Sequence, residues 1–334
     1  MNTPEINLKG HNVSGDQIIS KVIDAQAKLK ETREENATLR KDRDDLLAEY
    51  IALRDKRKVV SSPMLKRTFA GKERVRVSAG DMHGMMMDKP AVEAFLSDVR
   101  ILDPDEVILG GDMLECGGWL AKHMTLGYVA QTDYSYQEDV SACNWFLDQL
   151  QQAAPHAVII FMEGNHEDRV ERWCVDQTMS HNRDAEFLRK AFAPQFMLRL
   201  EERKIQYVRR SEIYIPGLPP GWIKRGKMFF CHELAGGKNA ATAAVARTGG
   251  NVTFFHTHQV SSGTLVLPAI GIIKAFCPGC LCQRQPLWKH SEPSNWSTGY
   301  AIDIIASDES FQHIDVPIWD GRSLASAMIT RFKS

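Results

Sequence analysis

The chain has 334 residues, 43% of them hydrophobic, which is enough to bury one large core or two of ordinary size and predicts a globular protein. Its 41 basic and 42 acidic residues give a formal net charge of -1, which excludes an overall basic field that would attract a whole domain to nucleic acid or an anionic membrane. Seven cysteines, an odd number, favour reduced thiols over a disulfide framework, and the lack of a signal-peptide core or a membrane-length apolar segment favours a cytoplasmic protein without a membrane partner.

The N-terminal part divides into residues 1–15, where a flexible chain is predicted, and residues 16–58, where a long helix is predicted. After Gly15 the helical stretch has no proline or glycine and is dense in charge. Its heptads predict a parallel coiled-coil homodimer whose register Asn36 fixes, or alternatively a solvated amphipathic helix on its own domain. The two seam positions hold Val22, Leu29, Asn36, Arg43 and Tyr50, and Ala25, Thr32, Leu39, Leu46 and Leu53.

Residues 59–73 are predicted to form a basic linker. Ser61, Ser62 and Pro63 mark a break in it, and the lysines and arginines around them form a run of positive charge. Such a run is either a solvated face or a salt-sensitive contact with a phosphate backbone. The sequence leaves both interpretations open.

From residue 74 to residue 334 short apolar runs alternate with helical stretches, which predicts an α/β domain. The early runs lack a clear alternation of polar and apolar residues, as is typical of strands covered on both faces. Strands are predicted at 75–80, 106–110, 157–162, 227–231, 251–255, 264–268 and 300–305, and helices at 90–100, 136–153, 167–176, 184–192 and 237–248.

Residues that bind metals follow five successive predicted strands. Because the carboxyl ends of strands in an open α/β sheet meet at one crevice, side chains far apart in the sequence can lie together there. Imidazole nitrogens and carboxylate oxygens suit zinc, iron and manganese, and so many ligands indicate two ions bridged by a carboxylate. These residues are Asp81, His83, Asp112, Asn165, His166, His232, His256 and His258.

The order of these motifs resembles a known family. Asp-x-His, Gly-Asp, Gly-Asn-His-Glu, a lone histidine and His-x-His follow one another between residues 78 and 281, as in the calcineurin-like metallophosphoesterase superfamily. The resemblance implies a four-layer α/β/β/α sandwich of two mixed sheets flanked by helices, here preceded by the long N-terminal helix. It also implies two divalent metal ions, with manganese expected and zinc or iron as alternatives.

Carried over residue by residue, the resemblance implies a catalytic histidine and a ligand set. His166 would contact the scissile phosphate and protonate the leaving oxygen, and Glu167 or Asp168 would orient it. The two ions would clamp the phosphate and lower the pKa of a water between them, so that hydroxide attacks in line with the leaving group. One ion would be held by Asp81, His83, Asp112 and His258, and the other by Asp112, Asn165, His232 and His256, with Asp112 as the bridge.

The sequence departs from the family pattern at two motifs. Phe255 stands at the glycine position of Gly-His-x-His. The second motif reads GDMLECGG, so it lacks the phosphate-binding arginine of protein serine/threonine phosphatases, and Glu115 and Cys116 stand near the place where double-strand-break-repair nucleases often have a histidine. Candidates for substrate contact near the site are Trp119, His123, Arg169, Lys224 and Arg225.

The sequence therefore predicts a dinuclear metal-dependent phosphoesterase, and the first expectation is a phosphodiesterase or nuclease acting on nucleic acid or nucleotides. The preference for a diester depends on the missing phosphatase arginine, on the aromatic loop after Asp112 and on the basic linker. One alternative is a phosphomonoesterase acting on a phosphoprotein or a small metabolite. Another is a non-catalytic metal-bound scaffold that recruits a partner through the N-terminal helix.

Overall fold

The computed structural model describes residues 6–8, 11–13, 15–56, 59, 73–120, 134–178, 185–286 and 294–325. The chain divides into two compact units, Met1–Lys58 and Val59–Ser334. The predicted basic linker, residues 59–73, lies outside the described residues apart from its two ends. In the described parts of the chain, no helix combines the length and the apolar character that crossing a bilayer requires.

The first unit contains a short ribbon and a long helix. Strands β1 (Ile6–Leu8) and β2 (His11–Val13) pair antiparallel within the segment for which the sequence predicted a flexible chain. Helix α1 (Gly15–Asp55) follows, so the long N-terminal helix is confirmed. Leu29 and Leu46, on the predicted seams, are 53% and 67% exposed in the single chain. The coiled-coil dimer stays a prediction.

The larger sheet of the second unit has six strands. Strands β3 to β6 run parallel, and β12 is antiparallel to both of its neighbours, β3 and β13. The residues that follow the parallel strands therefore lie along one edge of the sheet. Its strands are β3 (Arg74–Ala79), β4 (Glu106–Leu109), β5 (Val158–Met162), β6 (Gln206–Val208), β12 (Gly299–Ile305) and β13 (Phe311–Pro317), in the order β13-β12-β3-β4-β5-β6.

The smaller sheet has five strands and is also mixed. Strand β9 runs parallel to β8 on one side and to β11 on the other, whereas β7 and β10 are antiparallel edge strands. The sequence predicted only the second half of β10. The strands are β7 (Ile223–Arg225), β8 (Met228–Cys231), β9 (Asn251–Phe254), β10 (Val260–Leu267) and β11 (Gly271–Pro278), in the order β10-β11-β9-β8-β7.

Helices cover the outer faces of the two sheets, and the core lies between the sheets. In the core, Ile108 and Ile160 of the larger sheet pack with Phe230 and Phe276 of the smaller one. The predicted four-layer α/β/β/α sandwich of two mixed sheets is thus confirmed. The helices are α2 (Lys89–Leu102), α3 (Tyr136–Ala153), α4 (Glu167–Thr178), α5 (Ala185–Phe192), α6 (Pro194–Met197) and α7 (Ala240–Thr248).

Local sequence explains where these helices begin and end. Helix α2 starts at Asp88, whose side chain accepts a hydrogen bond from the N–H of Ala91 at 3.2 Å. Ser135 caps α3 in the same way. Helix α7 ends at Gly249, whose φ of 63° suits glycine. These caps fix the helices over the sheets, and α7 packs on the smaller sheet beside Phe254.

Candidate metal centre

The predicted ligands lie together at the carboxyl ends of strands from both sheets. Asp81 and His83 follow β3, and Asp112 follows β4 in the larger sheet. His232 follows β8, and His258 lies shortly after β9 in the smaller sheet. All five side chains are buried, and Asp81 and Asp112 are 0% and 1% exposed. The centre therefore joins the two sheets.

The backbone at this centre is in an unusual conformation. Left-handed φ angles are rare for residues other than glycine and cost about 1 kcal/mol or more each, so they persist only where the surrounding structure imposes them. Such strain is typical of functional sites. The ligand positions in this conformation are Asp81, His83, Asp112, His256 and His258, with φ of 50°, 55°, 50°, 72° and 58°.

A first cluster brings hydrogen-bond acceptors together. Nδ1 of His83 lies 2.7 Å from Oε2 of Glu115 and donates its proton there, which leaves Nε2 with a lone pair. That Nε2 faces Nε2 of His258 at 3.1 Å, and the same atom of His258 lies 3.2 Å from Oδ1 of Asp81. A single proton cannot satisfy all three acceptors, whereas a divalent cation can.

A second cluster also brings potential metal-binding atoms together. Nδ1 of His232 donates to the carbonyl oxygen of Gly110 at 2.8 Å, so Nε2 is the nitrogen that faces the other candidate ligands. This Nε2 lies 3.0 Å from Oδ1 of Asn165 and 3.2 Å from Oδ2 of Asp112. Burial disfavours the imidazolium, yet the Asp112 carboxylate outweighs it and raises the pKa of His232 to about 10. The site thus attracts positive charge, and the oxygen and nitrogen donors fit a metal ion.

Asp112 belongs to both halves of the centre. Potential ligand atoms of Asp112, His232 and His256 lie within 4.8 Å of one another, and so do those of His83, Asp112 and His166. Asp112 therefore belongs to two groups of potential ligand atoms, and its role as a bridge stays a prediction. The carboxylate of Asp81 accepts from the N–H of His256 at 3.0 and 3.2 Å, which fixes the backbone of the His-x-His motif.

His166 is held on both of its ring nitrogens. Its Nδ1 donates to the carbonyl oxygen of Glu115 at 2.5 Å, and its Nε2 lies 2.9 Å from Nη2 of Arg169. Its backbone N–H donates to Oδ1 of Asp112 at 2.8 Å. Burial lowers the pKa of His166, but the carboxylates of Asp112 and Glu115 raise it to about 9. The ring is fixed beside the bridging carboxylate.

Glu167 and Asp168 do not orient His166, so the expectation that one of them does is corrected. The carboxylate of Glu167 accepts from the N–H groups of Asp112, Leu114 and Gly164, each at 2.9 Å, and so holds the loop that carries Asp112. Asp168 instead pairs with arginines on the domain surface. The backbone N–H groups lie close to the buried Glu167 carboxylate, and the His166 ring is more distant. The carboxylate therefore accepts hydrogen bonds from the backbone and not from the ring.

Glu115 is a functional residue whose role the sequence did not indicate. It binds His83 through its side chain and His166 through its carbonyl oxygen. Burial raises its pKa, but the two imidazoles lower it more strongly, so the pKa of Glu115 lies well below its usual range. Glu115 lies three residues after Asp112 on the same loop, and this proximity is the sequence feature that could have indicated its role.

Two further residues support His258. The indole of Trp296 meets the imidazole edge-on, with 3.9 Å between the ring centroids. The thiol of Cys282 lies 4.0 Å from Nδ1 of the same imidazole. Neither contact was predicted from the sequence. They fix the orientation of a ligand whose other nitrogen faces the first cluster.

Phe255, the departure from the glycine of the family motif, joins the two sheets at the centre. A Cβ added to Gly80 would lie 2.7 Å from Cδ1 of its ring, and a Cβ added to Gly110 would lie 2.2 Å from Cε2. The ring therefore lies between the two glycines, with one at each edge, and is 0% exposed. Both neighbouring ligand loops are positioned by this contact.

The other predicted contact residues do not gather at the centre. Arg225, on β7, pairs with Glu106 at the amino end of β4, which is the end opposite Asp112. Lys224 lies over the ring of Phe229 at 5.1 Å. For Trp119 only the backbone is described, in a short 3-10 turn, and His123 lies outside the described residues. Of these candidates, the structure brings Arg169 to the site.

Three solved structures illustrate what the chain is similar to. Yfce, a phosphoesterase from E. coli, has 17% identity and a TM-score of 0.31, covering 72% of this chain and 98% of that chain. Vps29 from Entamoeba histolytica has 12% identity and a TM-score of 0.33, covering 75% and 95%. A metallophosphoesterase from Sphaerobacter thermophilus has 15% identity and a TM-score of 0.33, covering 72% and 88%.

Two of these three structures are phosphoesterases by name. No protein-family model matches the chain, and no curated protein sequence matches it. At these identities and TM-scores the likeness carries no functional inference. The function is therefore inferred from the side chains of the centre.

Proposed function

We propose that the chain is a dinuclear metal-dependent phosphoesterase, with a phosphodiester of a nucleic acid or nucleotide as its substrate. The observation that carries the proposal is the convergence of imidazole nitrogens, carboxylate oxygens and an amide oxygen around Asp112. His232, Asn165 and Asp112 meet within 3.2 Å on one side, and His83, His258 and Asp81 meet within 3.2 Å on the other. Two bound cations would take the place of protons in both groups and satisfy these donor atoms.

The donor set consists of imidazole nitrogens, carboxylate oxygens and one amide oxygen, which suits manganese, with zinc or iron as alternatives. When bound, the two ions supply Lewis acidity toward phosphate oxygens and lower the pKa of coordinated water. The residues that would hold one ion are Asp81, His83, Asp112 and His258, and those that would hold the other are Asp112, Asn165, His232 and His256.

The residues around the ions perform the remaining steps. His166 faces the bridging carboxylate, with its Nε2 3.7 Å from Oδ2 of Asp112, and this nitrogen delivers the proton to the leaving oxygen. Glu115 fixes the ring through the bond to Nδ1, so the proton-carrying atom is Nε2. Glu167 keeps the loop of Asp112 in place.

The preference for a diester is supported by the second motif. Cys116 is fully buried, and burial raises the pKa of its thiol well above the usual value, so the residue stays neutral and offers no charge to a phosphate dianion. A diester carries one negative charge fewer than a monoester dianion and needs less compensation. The alternative is a phosphomonoesterase acting on a phosphoprotein or a small metabolite.

The test compares two substrates on the manganese-loaded protein. We expect faster hydrolysis of bis(p-nitrophenyl) phosphate than of p-nitrophenyl phosphate, and a loss of about a hundredfold or more in His166→Ala. His156→Ala, a histidine in the turn before β5, is the matched control and should keep wild-type rates. Faster monoester turnover would refute the diester preference. If protein with two bound ions hydrolysed neither ester, the scaffold alternative would replace the enzyme.

The natural substrate is then identified by class. Single- and double-stranded DNA, RNA and cyclic nucleotides are offered to wild-type protein and to His166→Ala in parallel. We expect cleavage of at least one of them by the wild type alone. Cleavage that persists in His166→Ala would indicate a contaminating nuclease.

A further inference from the structure

Arg169 stands out among the arginines near the centre. It lies in the first turn of α4, three residues after His166. Its Nη1 donates to the carbonyl oxygens of Glu115 and Cys116, each at 3.3 Å. Its Nη2 lies 2.9 Å from Nε2 of His166. Two of these contacts are with backbone carbonyl oxygens, and none of the three is with a carboxylate.

Neighbouring arginines are paired with carboxylates. Arg172 binds Asp168 at 3.0 Å, and Arg210 binds the same carboxylate at 3.2 Å. Arg209 is paired with Glu171. Within the residues that the structure describes, no such carboxylate pairs with Arg169. Among the described residues, therefore, no carboxylate neutralises its charge, although the side chain is partly buried.

The position of this charge defines its ligand. His166 lies 2.9 Å from the guanidinium and 3.7 Å from Oδ2 of Asp112, so one imidazole separates Arg169 from the bridging carboxylate. A tetrahedral phosphoanion bound at the centre would face both His166 and Arg169. A guanidinium binds such an anion strongly, because its donors are planar and permanently charged.

We propose that Arg169 binds a non-bridging oxygen of the phosphoanion, as substrate or as product. This assignment depends on the proposed function, because the anion is the phosphate of that reaction. The two carbonyl oxygens keep Nη1 in place and aim the guanidinium. When the anion binds, Nη2 donates to it and no longer contacts His166. Nε2 of His166 is then available for the leaving oxygen. Arg169 thus acts on the substrate and not only on the histidine.

The test measures binding of inorganic phosphate to the full-length, manganese-loaded protein by titration calorimetry. Arg169→Gln keeps a hydrogen-bonding amide but removes the charge, and should weaken phosphate binding by about tenfold or more. Arg169→Lys keeps the charge but loses the planar donors, and should weaken it by about threefold or more. Arg172→Gln, one turn away on α4, is the matched control and should bind like the wild type.

Bound metal is measured by elemental analysis in each variant, so that a lost ion is not mistaken for a lost anion contact. Unchanged phosphate affinity in metal-replete Arg169→Gln would overturn the proposal, and so would a metal-replete wild type that binds no phosphate. If Arg169→Gln does not retain its metal, Arg169→Lys decides, and wild-type affinity in that variant would overturn the proposal.

Turnover of bis(p-nitrophenyl) phosphate is recorded in the same preparations. Phosphate binding that depends on Arg169, in a protein that hydrolyses no ester, would support the anion site and refute the proposed hydrolysis. Turnover together with phosphate binding that is indifferent to Arg169 would refute the anion site and keep the proposed function. The two proposals therefore fail separately.

Discussion

The contact between Phe255 and Gly110 makes a quantitative prediction. A methyl group added at Gly110 would lie 2.2 Å from Cε2 of the ring, whereas side-chain carbons hardly ever approach within 3.0 Å. Gly80 closes the opposite edge, so the ring cannot move away. Gly110 has no positive φ, which makes the cost entirely steric. Gly110→Ala should therefore reduce the free energy of unfolding by about 1–3 kcal/mol.

Removal of the ring should relieve that clash. Phe255→Ala alone should cost about 3–5 kcal/mol, because a fully buried aromatic side chain is lost. In its background Gly110→Ala should cost almost nothing, which gives an interaction energy of about 1–3 kcal/mol in the double-mutant cycle. Urea denaturation at a fixed, saturating manganese concentration measures all four proteins. Costs that simply add would show that the ring does not lie between the glycines.

Gly236→Ala is the matched control for this cycle. A Cβ at Gly236 meets nothing within 4 Å, and its φ is not positive. The substitution should change the free energy of unfolding by no more than about 0.5 kcal/mol. A large effect there would mean that any methyl group added to a glycine destabilises this domain.

Four further predictions follow from the structure. Asp112→Asn should lose at least one of two bound ions by elemental analysis, because both halves of the centre share this carboxylate. Glu115→Gln should lower kcat by about tenfold at unchanged metal content, since it weakens the hold on His83. Burial lowers the pKa of His313, but two carboxylates raise it to about 9, so about 3 kcal/mol of stability should be present below pH 6.5 and lost as the pH rises through 9. Urea denaturation at about pH 6 and about pH 10 checks this, and His313→Gln should not show the loss. Light scattering should give a dimer mass for the full chain and a monomer mass after removal of residues 1–58.

The centre was predictable because its ligands occur as short motifs directly after apolar strands. Five such motifs in a fixed order leave few folds that bring Asp81 and His258 together. The alternation of strands and helices likewise predicted the α/β class. Both patterns are local, because a strand or a motif of this kind can be recognised from its own residues alone.

Some strands were not predictable, because they are too short for a pattern or because their character depends on contacts with distant segments. Strands β6 and β7 have three residues each, which is too short for a pattern. Strand β13 mixes polar residues on both faces, because His313 lies buried against Asp303, which β12 carries. Contacts of this kind form only when distant segments pair, so local sequence does not reveal them. The pairing of Arg225 with Glu106 is a second example.

The sequence also misassigned a role where several donors compete for one acceptor. Glu167 follows His166 directly, so proximity in the chain favoured a bond between them. The N–H groups of the loop after β4 lie closer in the fold and take both carboxylate oxygens. Glu115, which does contact His166, is far from it in sequence.

The left-handed backbone at five ligand positions has an evolutionary consequence. At each of these sites glycine would relieve the local conformational cost and remove the chelating group in the same step. A lineage released from selection on this chemistry would gain stability by such drift, and its descendants would accumulate glycines there. This chain instead retains three histidines and two aspartates at those sites. Holding these side chains therefore costs the fold stability at each of the five positions.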